Sequence, residues 1–273
     1  MTALETKMAK YLELIKNVQD PSGFIGTEYC DSLLFSCLVG CVPGVIVDPQ
    51  AAQDPVTKAW FRRPLNHPEC LSCGGSDSTI SRDMLLGLAW YCFVHQRSDI
   101  CNEIIKYALL NFGVMGKGSL GATLISPELL ALFAEVSYQT GGKNHRLLRM
   151  IPFLPSKTAT GYQAHLQILH LMLLARLGKI HKQYGVICHN QFIRESLNPL
   201  FAYAAGFDKD ARLTLEDDKL YPPDRLPWST DRKDPWLPQR DYGVDWYGDK
   251  ARPIRMHSGG DLLFVGSLLL DKF

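Results

Sequence analysis

Apolar residues recur at the helical spacing of three and four along most of this chain, and that periodicity limits the fold more than any other feature. In residues 4–18, Leu4, Met8, Tyr11, Leu12, Ile15 and Val18 form one stripe of an amphipathic helix. Residues 31–42 (DSLLFSCLVGCV) are apolar nearly all round, so a helix there needs cover on most sides. Residues 81–95 and 102–112 read as a helix pair joined by a short polar turn. The helix of residues 126–138 opens on Ser126-Pro127-Glu128, a capping hydroxyl followed by proline at the first helical position. Gly141-Gly142 end it. Residues 162–177, stopped by Gly178, residues 193–205, stopped by Gly206, and residues 260–270 complete the series. Runs of alternating β-branched residues, and Asn-Gly or Asp-Gly turns between such runs, are not found in the sequence. The expected fold class is all-α, with one helical domain spanning 1–273.

Charge narrows the partners. Lys plus Arg number 29 and Asp plus Glu 28, a formal net charge of +1, so no general field of either sign draws in nucleic acid or an anionic membrane. A local patch could still hide inside that balance. The opening MTALETKMAKYLELI carries Glu5, Lys7, Lys10 and Glu13, and lacks the unbroken apolar core of a signal peptide. The longest apolar stretch, 33–47, is interrupted by Ser36, Gly40, Pro43 and Gly44 and falls short of the ~20 residues a membrane span requires. These features lead us to expect no membrane and no nucleic-acid partner. The expected location is the cytoplasm, or a virion if the chain leaves the cell by lysis or inside a particle.

Two segments, 43–78 and 219–258, are rich in proline, aromatic and charged residues and read as long loops. Trp60, Phe61, Trp228, Trp236, Tyr242, Trp246 and Tyr247 lie in them, which argues for order, because disordered segments are poor in aromatics. Three helices share an opening form: Asp31-Ser-Leu-Leu-Phe, Arg82-Asp83-Met-Leu-Leu and Gly260-Asp261-Leu-Leu-Phe. The two long loops lead into the second and third. A ring of helix pairs whose inner helices open toward one face would bring these residues together.

The segment GGSDSTISRD, 74–83, is the richest in chemistry. An acid in a first turn stabilises the helix dipole by ~0.3–1 kcal/mol, which accounts for Asp83 without any function. Asp77 and Arg82 beside it, on a Gly-Gly loop that lets a ligand approach the backbone, point to a site. The phrases CDSLLFSCL, STISRDMLLGLAWY, GYQAHLQILHLMLLARLG and HSGGDLLFVGSLLL resemble inner-helix openings of the (α/α) toroid fold, which serves many glycoside hydrolases and polysaccharide lyases. They also resemble uncharacterised toroid-like proteins of bacteriophages. The resemblance is one of style over most of the chain, with no family signature matched residue by residue.

That resemblance implies a toroid-like helical barrel with long ordered loops on one face, and a sugar-binding cleft lined by carboxylates and aromatics. Since a full six-pair ring needs more residues than this chain has, an incomplete ring stays open. Carried onto this sequence, the cleft takes Asp31, Asp77, Asp83 and Asp261 as candidate catalytic acids, with Trp60, Trp228 and Trp246 from the loops. Glycoside cleavage needs one protonated carboxyl as acid and one ionised carboxylate as base or nucleophile. Arg63 and Arg82 could lower a neighbouring carboxylate's pKa or bind an acidic sugar, or simply pair with Asp31 and Asp83. His165, near the start of its helix, is better placed than His170 to reach a cleft, although a core role suits both.

Other chemistries find less support. Cys70-Leu-Ser-Cys73 with His67 nearby supplies at most three zinc ligands, and Cys188-His189 is the only distant pair that could complete a site, so we expect no metal and no cofactor. No residue stands out as a cysteine nucleophile to pair with His165 or His257. Gly113–Gly121 has the glycine content of a phosphate loop but not its spacing, and reads as a flexible helix connection. Three function classes follow: an enzyme acting on a polysaccharide or oligosaccharide (a hydrolase or a lyase), a toroid that binds a glycan without cutting it, and a non-catalytic component of a larger assembly joined through the aromatic loops.

Free cysteine packs as a small hydrophobe, and Cys30, Cys37, Cys41, Cys70, Cys73, Cys92, Cys101 and Cys188 occur without a secretion signal. Denatured without reductant, the protein should have all eight thiols alkylated as read by mass spectrometry. A mass short by two alkyl groups would reveal a disulfide and overturn this.

Overall fold

The computed structural model describes residues 1–25, 33–65, 80–118, 121–159, 161–226 and 260–272. The described chain is mostly helical, and no helix among the described residues is long and apolar enough to cross a membrane. Contacts gather into two compact units. One comprises Met1–Val18, Val42–Val45 and Pro155–Phe273, and the other Gln19–Cys41 and Ile46–Leu154.

In the second of these units, α2 (Leu33–Gly40) buries all eight of its residues, as its all-round apolar sequence requires. It packs on α3 (Arg82–Val94), which buries Met84 through Cys92. Gly87 makes that contact possible: a Cβ there would lie 2.4 Å from the carbonyl oxygen of Leu34, inside the backbone of α2. Beyond the turn at residues 95–97, α4 (Ser98–Leu110) packs on α5 (Pro127–Gln139), whose Ser126 hydroxyl accepts from the Leu129 amide as its N-cap. A short helix α6 (Arg146–Arg149) is pinned to α5 by a partly buried ion pair, with Arg149 Nε donating to Glu135 Oε2 at 2.6 Å and Nη2 to Oε1 at 3.3 Å. The same guanidinium lies 3.6 Å over the Tyr138 ring.

Between α4 and α5 the sequence led us to expect a flexible connection. The chain instead forms an antiparallel hairpin, β1 (Val114–Gly118) and β2 (Gly121–Leu124), irregular between Val114 and Gly116. Glycines at 116, 118 and 121 carry no strand propensity, so no alternation was visible. The hairpin is held because Met115 of β1 is buried and the Ile125 amide donates to the Gly113 carbonyl.

The other unit is built on α1 (Ala3–Lys16), α7 (Gly161–Arg176), α8 (Tyr184–Arg194), α9 (Pro199–Ala204), α10 (Asp208–Glu216) and α11 (Gly260–Leu269). Thr2 and Glu5 cap α1 reciprocally, and its face of Leu4, Met8, Tyr11 and Ile15 packs toward α10 and α11. Lys7 is buried on that face, where its ammonium donates to the Glu216 carbonyl at 2.8 Å and meets Asp218 at 2.7 Å. Residues 193–205 are not one helix, as expected from their apolar content. α8 ends at Arg194, and Asn198 opens α9 by accepting from the amides of Leu200 and Phe201. The side-chain cap competes with helix continuation and wins, aided by Pro199.

Replacing Gly87 with alanine should cost about 1–3 kcal/mol, because α2 has to move or the new methyl has to strain. Urea unfolding would measure it. An unchanged midpoint would mean that α2 and α3 do not meet this closely.

Candidate functional site

Asp261 occupies the first turn of α11, where the unpaired amides of the helix start favour a negative charge. It is 1 % exposed. The buried hydroxyl of Tyr221 donates to Asp261 Oδ2. Tyr221 is placed in turn by Tyr11, whose hydroxyl donates to the Pro222 carbonyl at 2.9 Å and whose ring lies 6.3 Å from that of Tyr221 at 57°. A carboxylate held by a hydroxyl donor and a helix start can stay ionised while buried.

His165 and His170 are buried in α7, and burial pushes both imidazoles down to about 3 by penalising the charged ring. The charge of Asp261 acts on His165 in the opposite sense without overcoming burial. His165 is therefore a neutral ring at neutral pH, electrostatically linked to a buried acid. Such a group can relay a proton only if a reactant reaches it, and both His165 and Asp261 are enclosed.

The remaining candidates divide clearly. Trp60 is wholly buried, its backbone carbonyl accepting from the Ile80 amide, and so belongs to a core. Asp83, half-buried in the first turn of α3, accepts from the Ser81 hydroxyl. Arg82 is exposed and Arg63 half-buried. These four belong to the unit of α2 to α6, whereas Asp261 and His165 belong to the other. Asp31, Asp77, Trp228 and Trp246 lie outside the described residues, as do His67, Cys70 and Cys73 of the zinc reading. Among the described residues no group of three or more His, Cys, Asp or Glu side chains could hold a metal ion.

Two features escaped sequence reasoning. Tyr221 sits in a proline-rich stretch with no helical period, and nothing local marks it as the partner of an acid forty residues on. The rings of Phe192 and His189 on α8 stack near Phe207, at centroid distances of 4.6 and 5.7 Å and interplanar angles of 24° and 29°. This aromatic shelf is partly exposed, with His189 outermost. The i, i+3 spacing of His189 and Phe192 was its only sequence signal. Comparison with family models, curated proteins and solved structures finds no match to this chain.

The two buried histidines make stability depend on pH. An unfolded histidine binds a proton near 6.5 and these folded ones near 3, so between those values the unfolded state holds more protons. Stability is complete above about pH 6.5 and falls as the pH is lowered, by up to about 1.4 kcal/mol per pH unit for each ring. Urea midpoints measured from about pH 7 to 5 should fall less steeply in His165→Leu and in His170→Leu than in the parent. Identical slopes in all three would rule out this origin.

Proposed function

We propose that this chain is a toroid-like helical protein, complete or incomplete as a ring, that binds a polysaccharide without cutting it. The observation that carries the second half is the enclosure of Asp261, at 1 % exposure, with its carboxylate engaged by Tyr221. Cleavage of a glycosidic bond requires two carboxyl groups on either side of it, within roughly 5–9.5 Å of each other. A carboxylate that no ligand can touch does not serve as either one, which takes Asp261 out of the four candidate acids. Its hydrogen bond and helix-start position suit an acid that ties the first turn of α11 to Tyr221. The glycan half is supported by the helix openings, which resemble those of carbohydrate-active toroids, and by the aromatic shelf of Phe192, Phe207 and His189, since flat rings are surfaces that sugar rings can cover. The proposed setting is the cytoplasm or a virion.

A second reading, a structural component of a larger assembly, is favoured by the aliphatic side chains that α8 and α10 turn toward solvent.

Electrophoresis through gels containing bacterial capsule or cell-wall polysaccharides should retard the parent protein, while reducing-end and unsaturated-product assays of the same mixtures stay blank. Asp261→Asn should lower the melting temperature and leave retardation intact. Products released by the parent and lost in a folded Asp261→Asn variant would restore the hydrolase or lyase reading. No retardation by any polymer would leave the assembly reading.

A further inference from the structure

We propose that α8 of one copy of this chain docks on α10 of another, in a head-to-tail contact between identical molecules. On α8 the buried side is Ile187, Cys188 and Gln191. The opposite side centres on Val186 and Ile193, seven residues apart and therefore on one line of the helix, 65 % and 64 % exposed. Ile180 before the helix and Leu197 after it are exposed too. An ordinary surface helix places polar residues at the centre of its outer face, and this one places aliphatics there.

The charge along α8 and the segment before it is positive, and Glu195 at the C-terminal end of α8 is the first acid met. Residues 155–194 contain Lys157, Arg176, Lys179, Lys182 and Arg194 and no acid at all. Lys179, Lys182 and Arg194 are exposed at the two ends of α8. The balanced total of the whole chain conceals this segregation.

The matching surface is on α10, in the same unit. Its buried residues are Ala211, Thr214 and Leu215, and its outer face centres on Leu213, 57 % exposed. Around Leu213 stand Asp208, Asp210, Glu216 and Asp217, against the cations Lys209 and Arg212. The two helices thus present exposed aliphatic side chains among charges of opposite net sign: Lys179, Lys182 and Arg194 against Glu195 on α8, and four acids against two cations on α10, where Lys209 stands one turn before Leu213. Opposite net charges steer two copies together and set the register, and the aliphatic side chains supply the burial. A second copy placed α8 against α8 would set Lys179, Lys182 and Arg194 against themselves, so the charge selects the unlike pair. Such a heterologous contact leaves one free face at each end and continues into a ring or an open chain.

Sedimentation velocity of the full chain over increasing concentration at low salt tests this. The weight-average sedimentation coefficient should rise with concentration, and ~1 M sodium chloride should suppress the rise by screening these charges. Val186→Glu/Ile193→Glu blocks one face and Asp210→Lys/Leu213→Lys the other. Because these positions are exposed, both variants should keep the parent's circular dichroism. Each alone should remain monomeric, with the concentration-dependent rise lost. An equimolar mixture of the two should yield a 1:1 dimer and nothing larger, since each variant retains the face the other lacks. A parent that stays monomeric at every concentration, a single variant that still associates, or a mixture that stays monomeric would each overturn the proposal. Because the readout is mass, a failure here leaves the glycan reading to its own gel assay.

Discussion

Helices that are apolar on every side have to be enclosed, and among the described residues α2 and α11 bury nearly all of their side chains and α3 buries Met84 through Cys92. Everything around them is cover. The close approach at Gly87 brings α2 and α3 together with no room for a methyl group, and β1 contributes the buried Met115. α11 plays the corresponding part in the other unit. Gly266 admits α1 so closely that an added Cβ would lie 2.6 Å from the Met8 sulfur. Enclosure also explains the polar chemistry. Buried charges are met by fixed partners, as Asp261 is by Tyr221 and Glu135 by Arg149.

Helix cores were legible in the sequence to the extent that one face was apolar and the ends carried punctuation. Ser126 with Pro127, and the glycines at 141, 178 and 206, mark real helix ends, and these three glycines adopt the left-handed backbone that their residue type permits. α10 was not visible, because Asp208, Lys209 and Asp210 mask a buried face of only three residues. The break between α8 and α9 was hidden for a different reason. Apolar content runs through it, and only the cap at Asn198 interrupts the helix.

The candidate site was less legible than the fold, and the cause is physical. Helix-start acids in one chain share the same local pattern whether they line a cleft or sit in a core. Asp83 and Asp261 look alike in sequence, yet one is half-buried beside a serine hydroxyl and the other is sealed beneath a tyrosine. The difference is made by residues distant along the chain. Total charge misled in the same way, since a sum near zero says nothing of how the signs are arranged.

One unit is assembled from the first eighteen residues and from a stretch that begins at residue 155, with the other unit lying almost wholly between them. During synthesis, α1 leaves the ribosome long before α10 and α11, its main packing partners, have been made. Leu4, Met8, Tyr11 and Ile15 must therefore remain uncovered while the intervening helices, whose contacts are more local, find one another. The ammonium of Lys7 waits equally long for the carbonyl of Glu216. On a nascent chain α1 thus stays a sticky segment until α10 and α11 have been made, a window in which a chaperone would find its binding site on the face of Leu4, Met8, Tyr11 and Ile15.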